Sequence, residues 1–205
     1  MRALPPLLVL LALAAPAVAG DSTRAPAKRL LSYGDSFAIG TKPYLPDELS
    51  RWRIRSDGEP NRHTPDAAAD LRDRGKRLAP VVHLSLGTND DPGQPKRFRR
   101  AVRRAMRAVG RERCVVWANV FRPHREGDPP WRVLNGILDE EAAARDNLVI
   151  VDWFSMVDEH REWLDKHDAT HVSEEGYRHR ARAVAVAARE CRRRLASQAR
   201  TRGSA

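Results

Sequence analysis

Residues 80–90 read PVVHLSLGTND. A valine- and leucine-rich run opens at Pro80 and passes straight into a glycine and three polar residues. An apolar run of this length, bounded by turn formers, is the pattern of a strand buried on both faces, and the polar residues are the loop that leaves it. The pattern recurs on either side. RLLSY at 29–33 runs into GDSF, CVVWANV spans 114–120, LVIVDW spans 148–153, and a weaker run covers 52–55.

Helical segments separate these runs. Thr64-Pro65-Asp66 opens one as an N-cap, a first-turn proline and an acid, and it is expected to reach about Arg77. Pro95 to Val109 forms another, with one basic face, and Asp128-Pro129 starts a third that ends near Asp146. Ser173 caps the last helix, in which Tyr177, Ala181, Val184, Ala188, Cys191 and Leu195 fall on one face. Strands alternating with helices predict an α/β fold, a five-stranded parallel sheet with helices on both sides.

The chain has 205 residues, 41% hydrophobic and 31% charged, which suits one domain. Two cysteines exclude a disulfide scaffold and a Cys-rich zinc module. Residues 1–20 read MRALPPLLVLLALAAPAVAG: one basic residue, a short apolar run and an Ala-Val-Ala cleavage pattern. This is expected to be a signal peptide over 1–19, too short for a confident membrane span, followed by a flexible lead-in over 20–28. The folded domain is expected over 29–197 and a basic disordered tail over 198–205. The protein is then secreted, periplasmic or held in the cell envelope. With 37 Lys and Arg against 27 Asp and Glu, the basic residues are read first as solvated helix faces, and the partner weighed beside that reading is an anionic envelope surface rather than nucleic acid. A monomer is expected.

In a parallel sheet the site lies beyond the carboxyl ends of the strands, where strand order reverses. Gly34-Asp35-Ser36-Phe37 follows the first strand, Gly87-Thr88-Asn89-Asp90 the third, and Asp168-Ala169-Thr170-His171 comes after the fifth. A serine hydroxyl needs a base, an imidazole titrates in the useful range, and a carboxylate fixes its tautomer. Ser36, His171 and Asp168 supply these types, and the Asn89 amide with the Ser36 backbone N–H can meet an oxyanion. This is the inventory of serine-based acyl transfer, and it requires no metal or organic cofactor.

Taken together, the three blocks resemble the SGNH hydrolase superfamily, the GDSL-type esterases and lipases, over roughly residues 28–195. The resemblance implies a flavodoxin-like three-layer α/β/α sandwich, with Ser36 as nucleophile, His171 as base, Asp168 as its orienter and Asn89 as oxyanion donor. Two positions depart from the family pattern. Phe37 replaces the usual leucine, read as a packing change. The second block, a glycine donating its backbone N–H, falls on Gly58 or, counting back from Thr64, on Asn61. The ordinary α/β-hydrolase is the rival fold, but its Gly-x-Ser-x-Gly turn is missing because Ala38 holds the fifth place. Trp131 and Trp153 are candidates for lining a substrate groove.

Cys114 begins a strand, and Cys191 lies near the end of a helix antiparallel to it, so both reach the sheet's amino end. They are a candidate disulfide, open to oxidation after export. The activity expected is hydrolysis of a small-molecule, saccharide or lipid ester, short-acyl first. O-acyl transfer to an envelope saccharide and non-catalytic binding of anionic polymers are the alternatives.

Overall fold

The computed structural model describes residues 28–123 and 130–203. The leader, nearly all of the lead-in, and the expected helix start at Asp128 lie outside these residues. Five strands, β1 (Arg29–Gly34), β2 (Arg53–Gly58), β3 (Val81–Ser85), β4 (Cys114–Ala118) and β5 (Leu148–Val151), form one sheet in the order β2-β1-β3-β4-β5. Every pairing is parallel.

The helices are α1 (Ser36–Thr41), α2 (Leu45–Glu48), α3 (Thr64–Arg74), α4 (Pro95–Val109), α5 (Arg132–Ala143), α6 (Trp153–Glu159) and α7 (Glu174–Gly203). Two apolar cores separate them into layers. Leu30, Val81, Val116 and Val149 face one core with α1, α2, α6 and α7. Leu31, Val82, Val115 and Leu148 face the other with α3, α4 and α5. Adjacent strand residues thus point to opposite cores, which is why the strands are apolar throughout rather than alternating. The three-layer α/β/α sandwich is the architecture read from the sequence.

Four expectations need correction. The second strand runs three residues beyond the expected 52–55 stretch, because it is an edge strand whose length is set by pairing with β1 rather than by apolar content. The third expected helix is seen only over Arg132–Ala143. Thr64 is not an N-cap; it is the first residue of α3, and its backbone N–H is met from elsewhere, as described below. The final helix continues to Gly203, through most of the stretch expected to be a disordered tail. Arg178–Glu174 and Arg194–Glu190 pairs one turn apart brace its exposed side.

Cys114 and Cys191 are joined, with Cα atoms 5.7 Å apart and 77 positions apart in sequence. The bridge ties the start of β4 to α7 at the end of the sheet opposite the loops that carry the polar blocks. In the chain-entropy model a loop of this length contributes about 4–5 kcal/mol. Replacing both cysteines with serine should lower the midpoint of thermal unfolding by roughly 10–15 °C. Calorimetry of the double variant checks this, and a loss under 3 °C would show that the bridge adds little.

Candidate active site

The switch in strand order falls between β1 and β3, the neighbours from which the sheet grows in opposite directions. The two strands end flush. The Asp35 backbone N–H donates to the Ser85 carbonyl at 3.0 Å, and a Cβ on Gly34 would sit 2.1 Å from that same oxygen. Only glycine permits this approach. Asp35 then caps α1, its Oδ1 accepting from the Phe37 N–H at 3.0 Å. Ser36 is therefore the first residue of a helix, where backbone N–H groups lack partners within the helix.

The loop before α7 brings the other half. Asp165 N–H donates to the His171 carbonyl at 2.8 Å, Ala169 N–H to the Asp165 carbonyl at 3.0 Å, and Ser173 N–H to the Trp163 carbonyl at 2.6 Å. Ala169 takes φ +52°, a left-handed turn, to close this knot. The Asp168 carboxylate is gripped by it: Oδ1 accepts from the Thr170 and His171 backbone N–H groups, each at 2.9 Å. Oδ2 lies 2.5 Å from His171 Nδ1, and His171 Nε2 lies 2.8 Å from Ser36 Oγ. Ser36, His171 and Asp168 thus form one continuous hydrogen-bonded chain. Burial pushes the Asp168 carboxyl up, but His171 and the two backbone donors outweigh it and hold it at about 2.

Phe37 is more than a packing change. Its ring stacks on the His171 imidazole, centroids 5.4 Å apart and planes 25° from parallel. Trp153 is buried and meets Phe37 edge-on at 6.4 Å, so it supports the site from below rather than lining a groove. Trp131 does line a cavity of about 260 Å³ with Phe121, Arg132 and Phe154.

The loop after β3 holds Asn89. Its Nδ2 is 3.4 Å from the Arg62 carbonyl, so it lies against the loop that follows β2. That loop is fastened twice. Asp90, buried, accepts the Thr64 N–H at 3.1 Å and the Thr64 hydroxyl at 2.5 Å, and so supplies the missing cap of α3 from another loop. Arg62 donates to the carbonyls of Gly34 at 3.0 Å and Asp57 at 2.9 Å, and its guanidinium lies 4.2 Å from the Tyr33 ring centre. Neither Asp90 nor Arg62 stands out in sequence, since each acts on a residue more than twenty positions away.

Of the two candidates for the second block, Gly58 is the last residue of edge strand β2. The backbone N–H groups of Arg53 and Glu59 point to β1, which by the alternation of a strand turns that of Gly58 to the open side. Asn61 instead has φ +60°, the conformation a glycine would favour and asparagine tolerates. Gly58 is confined for another reason: a Cβ there would fall 2.7 Å from the Ile39 side chain.

Beneath the site, burial pushes the Asp35 carboxyl up to about 6, offset in part by the Arg180 charge and by hydrogen bonds from Phe37 and Ser85. An acid raised in the folded state takes up its proton there first, so stability is gained as pH falls through about 6 and the gain is complete below about 4. Urea denaturation should show wild type gaining on the order of 3 kcal/mol relative to Asp35→Asn between pH 7 and pH 4. A difference that stays flat over that window would refute the raised carboxyl. Asp168→Asn, which keeps shape but presents the wrong tautomer, should lower the turnover of any ester substrate by about 10³–10⁴ while leaving thermal stability within a few degrees.

No protein-family model matches the chain, and no curated protein matches it either. Solved structures do. The C-terminal catalytic domain of peptidoglycan O-acetyltransferase A from Streptococcus pneumoniae aligns at TM-score 0.66 and 15% identity, over 84% of this chain and 96% of that one. A lipolytic protein of the G-D-S-L family from Veillonella parvula aligns at 0.64 and 18%, over 79% and 96%. A family 3 carbohydrate esterase from Clostridium thermocellum aligns at 0.59 and 18%, over 78% and 92%. The chain has the fold of the GDSL-type lipolytic proteins and esterases.

Proposed function

We propose that this chain is an exported serine esterase of the SGNH type, hydrolysing carboxylic esters through an acyl-enzyme on Ser36. The observation that carries the reading is the Ser36–His171–Asp168 chain, with 2.8 Å and 2.5 Å links assembled from both ends of the sequence. Ser36 Oγ attacks the ester carbonyl carbon while His171 Nε2 takes its proton. The carbonyl oxygen becomes an oxyanion, met by the Ser36 N–H, the Asn89 amide and the Asn61 N–H; Asn61 takes the place weighed for Gly58. Collapse breaks the bond to the alkoxy group, which leaves as an alcohol with the proton from His171. Water then repeats the sequence on the acyl-enzyme. Asp168, ionised down to about pH 2, holds the ring tautomer and faces the imidazolium throughout.

A second reading rests on exposure. The side chains of His171 and Asp168 are 37% and 45% exposed, so a bulky hydroxyl can approach as readily as water. Captured by a sugar hydroxyl, the same acyl-enzyme makes an O-acyltransferase, the activity named for the pneumococcal neighbour. Partner choice follows from charge. Lys96, Arg100, Arg104 and Arg107 form an exposed stripe along α4, and none has an ion-pair partner among the described residues, unlike Arg99 and Arg103 beside them. We assign this stripe to an anionic envelope polymer.

Hydrolysis of p-nitrophenyl acetate, butyrate and octanoate should be measurable for the mature protein and fall at least 10³-fold in Ser36→Ala. The chain-length preference separates a small-acyl esterase from a lipase. Equal rates for a folded wild type and Ser36→Ala would reject the esterase. Acyl appearing on an added oligosaccharide, in place of free acid, would select the transferase. Changing all four stripe residues to glutamine should abolish salt-sensitive retention on a phosphate-bearing matrix with ester turnover unchanged.

A further inference from the structure

α7 is apolar where it meets the sheet, with one exception. Arg180 is 2% exposed and sits on that face between Tyr177 and Ala181. A guanidinium is among the costliest groups to bury, and a methionine or leucine would fill the space without that cost. Its hydrogen bonding does not explain it. Nη2 donates to Ser85 Oγ at 2.9 Å, but Nε and Nη1 make no hydrogen bond, and no carboxylate is within ion-pair distance among the described residues. Its stacking is more telling. The guanidinium carbon lies 5.0 Å from the Phe37 ring centre and 4.8 Å from that of Trp153.

Both contacts lead to the same place. Ser85 Oγ donates to Asp35 Oδ1 at 3.3 Å, and Asp35 caps the helix whose first residue is Ser36. Phe37 lies against Arg180 at 5.0 Å and also stacks on His171 at 5.4 Å. One cation therefore reaches both neighbours of Ser36, Phe37 by direct stacking and Asp35 through Ser85, and Phe37 is also the ring stacked on His171.

We propose that Arg180 is a positioning residue: stacked on Phe37 and linked through Ser85 to Asp35, it sets the alignment of Ser36 Oγ with His171 Nε2. This rests on the triad reading above, and the experiment separates the two. The charged or titratable groups facing Arg180 are Asp35 at the end of β1, Tyr177 on its own helix and His83 on β3. Burial brings the guanidinium down to about 10 against the opposing pull of Asp35 and Tyr177, and brings His83 down to about 3, so Arg180 is a cation and His83 neutral wherever esters are turned over.

The test uses phenylmethylsulfonyl fluoride, which needs no knowledge of the substrate. Ser36 Oγ bonds to sulfur, the S–F bond breaks, fluoride leaves and the serine proton passes to His171. The rate of mass increase therefore reads the Ser36–His171 alignment directly. Arg180→Met should be labelled at least ten-fold more slowly than wild type. Its kcat on p-nitrophenyl acetate should fall in parallel, with KM within twofold and an unchanged near-ultraviolet circular dichroism spectrum. Arg180→Lys keeps the charge but lacks the planar stack and should stay at least five-fold slow. Ser85→Ala should be about threefold slow, and combined with Arg180→Met no slower than Arg180→Met alone, because Ser85 relays one of the two contacts that Arg180→Met already removes. A folded Arg180→Met labelled as fast as wild type overturns the inference. Should that variant not fold, Ser85→Ala at the wild-type rate overturns it equally. A wild type that is not labelled rejects the triad itself, a different result from either.

Discussion

Where β1 and β3 end side by side, the Asp35 N–H reaches the Ser85 carbonyl at 3.0 Å, and the functional half of the molecule is arranged around that contact. It demands a glycine at position 34 and fixes the direction in which the chain turns into α1. It also places the first strand's exit beside the third's, so the turn that leads to Ser36 leaves the sheet next to the loop that carries Asn89. The parallel sheet imposes this geometry; the loops only decorate it. Arg62 donating to the Gly34 carbonyl and Glu59 N–H doing the same at 3.0 Å draw the β2 exit into the same corner.

Two carboxylates within a few residues of the chemistry are driven in opposite directions. Asp168 stands at the surface, where three donors reward its charge. Asp35 is fully buried and charged only at a cost, so it behaves as a structural acid that prefers its proton near pH 6. The contrast sets the two carboxyls apart without appeal to sequence position. The carboxylate beside His171 is kept ionised and accessible. One that shapes a turn is sealed below, with a cation nearby that limits how far its affinity for protons can climb.

The strands and the polar residues after them were legible because burial on both faces leaves an unmistakable apolar run, as at Val81–Ser85 and Cys114–Ala118. The residues of the Ser36–His171–Asp168 hydrogen-bonded chain were legible because the blocks that carry them follow such runs in order. What could not be read was action at a distance. The Thr64 hydroxyl looks like a cap in one dimension, yet Asp90, 26 residues on, supplies the acceptor and leaves Thr64 as a donor. Gly58 is the only glycine in its region, yet the left-handed turn falls on Asn61. Composition points to the residue able to adopt a conformation, while tertiary contacts decide which residue does. Phe37 and Arg180 belong to the same class: each is ordinary in its own helix and matters only through what the fold lays against it. The end of α7 was missed for a local reason, since a polar arginine-rich segment with no apolar face reads as tail although the helix carries on through it.

The bridge at Cys191 and the stack at Arg180 also have a mechanical meaning. They grip the same rod at two levels, eleven residues or about 16 Å apart along its axis. His171 sits just ahead of that rod's first turn, so any sliding of α7 along the sheet would be passed to the imidazole without loss. A slip of one turn would carry it about 5.4 Å, nearly twice its distance from the serine. A covalent anchor at the far end removes that freedom while adding nothing near the chemistry. The helix thus acts as a strut of fixed length, and the precision of the site is partly manufactured at the opposite pole of the molecule.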